Sequence, residues 1–116
     1  MLAQTPWRRV WGDGRRPRWK RFSPWLKNVR GVAGVYLIRS RLDHNLLYIG
    51  RSVDLGARLR RHFYRHKGVD PVIPREVAEA RVYVLPHDAL VEAERRLIVL
   101  YPHALNVDRP SDNAPF

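Results

Sequence analysis

The sequence predicts an α+β domain, a small and mostly antiparallel three-stranded sheet flanked by helices. Three observations predict it. Two short stretches rich in β-branched and aromatic residues stand on either side of a brief polar loop, which is the pattern of a β-hairpin. A third such stretch follows, closed by a proline. Two segments with apolar residues at helical spacing, each opened by an aspartate, come before and after that third stretch. At 116 residues the chain has room for one modest core.

Each element can be justified in turn. Trp11-Gly12-Asp13-Gly14 reads as a turn. Ser23 as an N-cap with Pro24 at the first helical position predicts one short helical turn through Lys27. Val35 to Ser40 and Leu46 to Ile49 are the hairpin strands, joined by Arg41 to Asn45. Asp54 caps a helix running to about His66 and ended by Gly68. Pro71 to Pro74 is a loop, and Arg75 to Glu79 a single helical turn. Arg81 to Leu85 is the third strand, closed by Pro86. Asp88 caps a second long helix from Ala89 to about Tyr101, stopped near Pro102. The segment from Arg109 onward frays. Three parts follow: a basic Trp/Arg-rich arm (1–30), the folded domain (31–108) and a tail (109–116).

Charge narrows the function. The formal net charge is +11, and self-repulsion of that size calls for a polyanionic partner, of which nucleic acid fits best. The arm carries nine basic residues against Asp13 alone, giving +8. Within it Arg15, Arg16, Arg18, Lys20 and Arg21 are expected to extend the binding surface, with Trp25 anchoring the segment. No apolar run approaches the roughly 20 residues of a membrane span, and no signal peptide is visible. With no cysteine there is no disulfide framework. A soluble, cytoplasmic protein without membrane attachment is expected.

Two helix positions suggest chemistry. On the second long helix Leu90, Leu97, Ile98 and Tyr101 share an arc, and Glu94 falls inside it. A carboxylate there needs a partner. It is either half of a buried Glu–Arg pair or the ligand of a hard cation, Mg²⁺ being favoured and Mn²⁺ able to substitute. On the first long helix Arg58 and His62, four residues apart, border the buried stripe Leu55, Leu59 and Phe63. Arg61 and Arg65 continue a basic strip.

The tripeptides Gly34-Val35-Tyr36 and Tyr48-Ile49-Gly50, followed by Arg58, His62, Glu94 and Asn106 in order, resemble the GIY-YIG nuclease family over about residues 31 to 108. The first tripeptide has valine in place of the namesake isoleucine. The resemblance implies a metal-dependent DNA endonuclease in which a tyrosine is the general base and Glu94 holds one divalent cation, its carboxylate facing the same cleft as both tyrosines. A free phenol, with a pKa of about 10, needs help to ionise at neutral pH. His62 is a suitable proton acceptor, and Arg51, Arg58 and the metal would favour phenolate. The residues leave open which tyrosine is the base. Resemblance to histidine-containing members favours Tyr36, with Tyr48 orienting water or phosphate. Arg58 would stabilise charge on the phosphoryl oxygens, and Asn106 would hold Glu94 or a phosphate. Arg51, directly after the second tripeptide, is expected to contact nucleic acid. One active site cuts one strand, so a double-strand cut would need a homodimer or two events. The competing expectation is a non-catalytic or RNA-directed binding protein that keeps the fold.

Overall fold

The computed structural model describes residues 5–12, 22–44, 46–64, 75–102 and 106–107. Along the chain run β1 (Arg8–Arg9), α1 (Trp25–Asn28), β2 (Gly34–Ser40), β3 (Leu46–Ser52), α2 (Leu55–Tyr64), β4 (Ala78–Val84), a 3-10 turn at His87–Ala89, α3 (Leu90–Leu100) and β5 (Asn106–Val107). The strands form one sheet in the order β1-β4-β2-β3-β5. Every pairing is antiparallel except β3 with β5. The α+β expectation holds. The three long strands are those expected, and the two-residue edge strands extend them on either side.

Side chains alternate across a strand, and here that alternation builds two cores. Tyr36, Ile38, Tyr48, Ala78 and Ala80 pack with Leu55, Leu59 and Phe63 of α2. Val35, Leu37, Ile49 and Tyr83 pack with Ala93 and Leu97 of α3. The sheet is thus covered by α2 on one face and α3 on the other. Gly34 begins the central strand because a β-carbon there would run into the Tyr83 carbonyl of β4 and the Leu55 side chain.

Three expectations are corrected. The helical turn over Arg75 to Glu79 is not formed. A turn ends at Val77, and Ala78 and Glu79 already pair with Ser40 and Arg39 in the sheet. Local alanine content suggests helix, but Ala78 and Ala80 alternate into the core as strand residues. The second hairpin strand continues past Ile49 through Ser52, because Arg51 and Ser52 pair with Val35 and Gly34. Asp88 does not cap α3. It lies in the 3-10 turn, whose Ala89 amide bonds to the Pro86 carbonyl, and the helix opens at Ala89 with no side-chain cap. Asp54 behaves as expected, its Oδ1 accepting the Ala57 amide at 3.0 Å. The ends assigned to His66 and Gly68 lie outside the described residues.

The described part of residues 1–30 is built into the domain. Val10 and Trp11 are buried in the α2-side core. Trp11 meets Phe22 edge-on at 5.0 Å, the Arg75 guanidinium lies 4.0 Å from its ring centroid, and the Trp25 indole donates to the Arg9 carbonyl. Trp7 is packed by the guanidinium groups of Arg39 and Arg81 at 4.1 and 4.7 Å.

Candidate active site

Tyr36 and Tyr48 rise from adjacent strands on the α2 face. In the β2–β3 register Tyr36 faces Gly50 and Tyr48 faces Ile38, so the tyrosines are diagonal neighbours. Their rings lie nearly parallel, 6.1 Å apart. Gly50 opposite Tyr36 on β3 leaves room on that side of its ring, while Val82 is its partner on β4.

Arg58 and His62 reach the same place from α2, one turn apart. The start of that helix is held firmly. Leu55 and Gly56 donate to the carbonyls of Val32 and Val29. Gly56 is required by the close approach of α1, since a β-carbon would sit 2.5 Å from the Leu26 carbonyl oxygen. Toward the other end, Arg75 donates to the Phe63 carbonyl at 3.2 Å. Nothing in the sequence pattern singled out Arg75, since only folding brings it to the helix.

Three side chains then meet at one oxygen. The Tyr36 hydroxyl lies 2.8 Å from His62 Nε2, and Arg58 Nε donates to the same hydroxyl oxygen at 3.2 Å. The imidazole also packs edge-on against Tyr48, 4.5 Å between centroids. Tyr36 is 0% and His62 6% exposed, whereas Arg58 is half-buried. Burial, then the charges of Arg58 and Arg61, hold the His62 pKa down at about 3 from its ordinary 6.5. The imidazole is therefore neutral at pH 7. With Arg58 donating to the Tyr36 oxygen, the arrangement lets the phenol donate to Nε2, with the ring proton on Nδ1.

Glu94 is fully buried on α3, and its Oε1 accepts from Arg51 Nη1 at 2.7 Å, with Arg51 only 5% exposed. Of the two readings of Glu94, the structure contains the buried Glu–Arg pair, and it identifies the partner. Arg51 faces Val35 in the register, so it issues from the opposite face of β3 to Tyr48. Arg51 was expected to contact nucleic acid directly. Its guanidinium is instead buried against a carboxylate, because the strand continues past Gly50 and turns this side chain toward α3.

A divalent cation on Glu94 does not fit this arrangement. Mg²⁺ keeps several waters and near-octahedral geometry, and here the carboxylate has no exposure and a guanidinium at hydrogen-bonding distance. Among the described residues no three His, Asp or Glu side chains gather in a metal-binding group.

The remaining candidates are dispersed. Arg61 is exposed on α2. The backbone of Asn106 on β5 pairs beside Tyr48. Arg15, Arg16, Arg18, Lys20, Arg21 and Arg65 lie outside the described residues. A separate groove of about 410 Å³, lined by Thr5, Arg8, Trp25, Val29 and Val82 among others, contains none of the candidates. No helix among the described residues is long and apolar enough to cross a membrane.

Compared with known families, residues 32–101 match the GIY-YIG catalytic domain. That interval covers more than half of the chain and holds both tyrosines, Arg51, Arg58, His62 and Glu94. No curated protein and no solved structure matches.

Proposed function

The chain belongs to the GIY-YIG catalytic-domain family, and from that membership we propose that it is an endonuclease hydrolysing phosphodiester bonds in DNA, with Tyr36 as general base. The observation that carries this reading is the Arg58–Tyr36–His62 cluster, a buried phenol oxygen hydrogen-bonded to a half-buried guanidinium on one side and a neutral imidazole on the other.

The chemistry follows from those three groups. Water attacks the phosphorus and gives its proton to the Tyr36 oxygen, as the phenol proton passes to His62 Nε2. The 3′ oxygen leaves as the new phosphorus–oxygen bond forms. Tyr36 is a phenol again after this step and His62 an imidazolium. With a pKa near 3, His62 releases that proton to solvent, and the departing 3′ oxygen takes up a proton from water. Arg58 is the most exposed of the three, so an incoming phosphate meets it first. Drawing the guanidinium toward the phosphate uncovers the Tyr36 oxygen and sets a positive charge where the transition state gathers negative charge. Tyr48, stacked beside Tyr36, orients water or phosphate. Nucleases of this family are generally divalent-metal dependent, and the buried Glu94–Arg51 pair does not fit such an ion. The base-side chemistry proposed here uses only the chain's own residues.

The test is cleavage of supercoiled plasmid DNA with Mg²⁺ or Mn²⁺, with a structured RNA in parallel. Tyr36→Phe removes one hydroxyl from a packed ring, so the fold should persist while the rate falls about a hundred- to ten-thousand-fold. A Tyr36→Phe protein that cleaves at the wild-type rate while Tyr48→Phe is dead would move the base to Tyr48. Cleavage of neither nucleic acid would leave a binding protein.

A further inference from the structure

The groove of about 410 Å³ is lined by Ala80 and Val82 of β4, by Trp25, Asn28 and Val29 at α1, and by Arg8 of β1. Its shape is fixed by bonds within the protein. The Trp25 indole donates to the Arg9 carbonyl at 2.8 Å, which pins the ring to β1. The Thr5 hydroxyl donates to the Val82 carbonyl at 3.0 Å, which holds the N-terminal segment against β4. A groove formed in advance spares the ordering cost that binding otherwise carries. Val82 is also the β4 partner of Tyr36, so the groove lies on the same face of the sheet as the Arg58–Tyr36–His62 cluster.

The lining combines three kinds of group. Trp25 is half-buried, packed in part against the core. Arg8 pairs with Ala80 in the β1–β4 register, and residues directly opposite share a face, so the Arg8 side chain issues on the groove side. Arg8 and Asn28 are both exposed. An indole, a guanidinium and a side-chain amide around apolar residues match one ligand chemistry. A nucleobase stacks on an indole, its phosphate matches a guanidinium, and an amide bonds to base edges. The net charge of +11 favours a polyanion over an apolar peptide. Stacking within a duplex hides the base faces, so the ligand is a single strand.

We propose that this groove docks an unstacked base of single-stranded DNA, with Trp25 against the base, Asn28 at its edge and Arg8 on the adjoining phosphate. This rests on the reading of nucleic acid as substrate and adds its class, DNA with an unpaired segment.

The test uses the full chain in EDTA, so that no strand is cut. Fluorescence anisotropy measures binding of a labelled thymidylate octamer, an abasic octamer of the same charge and a short duplex. Wild type should bind the thymidylate octamer about tenfold or more tighter than the abasic one, in line with the loss of a stacked base. Trp25→Leu should remove that preference and leave duplex affinity within about twofold. Arg8→Gln should weaken both octamers alike. Should Trp25→Leu fail to fold, nuclear magnetic resonance on the wild type replaces it: the Trp25 indole and Asn28 amide resonances should shift with the thymidylate octamer and stay still with the abasic one. Equal affinity for the two octamers, a preference that Trp25→Leu retains, or an unmoved Trp25 resonance overturns the groove alone. Base-dependent binding at Trp25 in a chain that cleaves no nucleic acid overturns the endonuclease reading and leaves the groove standing.

Discussion

His62 illustrates how a residue's surroundings change its expected behaviour. From its ordinary pKa, a relay histidine would impose its own titration on the neutral limb of the pH–rate profile. Buried beside Arg58 and Arg61, it titrates near 3. The neutral limb should therefore belong to another group, and His62→Ala should lower the rate without moving that limb. A limb that vanishes in His62→Ala would overturn this. The same shift makes a stability prediction. Above pH 6.5 the histidine is neutral folded or unfolded and contributes nothing to pH dependence. Between pH 6.5 and about 3 the unfolded chain takes up a proton that the folded chain refuses, so stability falls as pH falls. The loss from this one group reaches roughly 5 kcal/mol by pH 3. Urea unfolding from pH 7 to pH 4 should show His62→Gln losing less stability than wild type; parallel losses would contradict the shifted pKa.

At the level of elements, α2 is the part on which the site depends. It delivers Arg58 and His62 from one turn, and it is braced by the Val29–Val32 backbone before it and by Arg75 after it. The N-terminal segment contributes to the same core. A purely electrostatic arm would tolerate loss of a tryptophan with little effect, since surface substitutions usually stay within about 0.5 kcal/mol. Trp11 is instead 5% exposed, with Arg75 on its ring and Phe22 against its edge. Trp11→Ala should cost about 3–5 kcal/mol, as for other buried large-to-small changes. Chemical denaturation measures it, and a cost under about 1 kcal/mol would return the segment to the surface. Truncation before residue 12 is for the same reason a poor probe of nucleic-acid binding, because it removes core as well as charge.

For the molecule as a whole, the governing quantity is the net charge of +11. Binding driven by phosphate neutralisation weakens as salt rises, by about 0.9 in the log–log slope for each duplex contact. A domain of this charge should show a slope steeper than about −5, the equivalent of roughly six phosphates. Filter binding between 50 and 200 mM salt would measure it, and a slope near −1 would mean that most of the charge faces away from the substrate. Arg51→Gln should change that slope less than Arg61→Gln in metal-free protein, since Arg51 is engaged with Glu94 and Arg61 is exposed.

The sequence by itself determined the hairpin and both long helices, and it singled out Tyr36, Arg58 and His62, which the fold brings together. Those features are written in local patterns: the β-branched and aromatic content of Val35 to Ser40, the apolar stripe through Leu55, Leu59 and Phe63, and an aspartate cap at Asp54. Glu94 stood out because a carboxylate on an apolar arc is locally anomalous. What answered that carboxylate was not local. Arg51 and Glu94 are far apart in the chain, and their pairing depends on β3 continuing past Gly50 and on α3 covering that face of the sheet. The strand nature of Ala78 and Glu79 was likewise decided by pairing with Ser40 and Arg39, where the sheet's hydrogen bonds override a weak helical preference. The same holds for His62. Its position beside Tyr36 follows from helix spacing and strand register. Its depressed pKa exists only once burial and two arginines surround it, because desolvation and Coulomb energies are properties of a place in three dimensions.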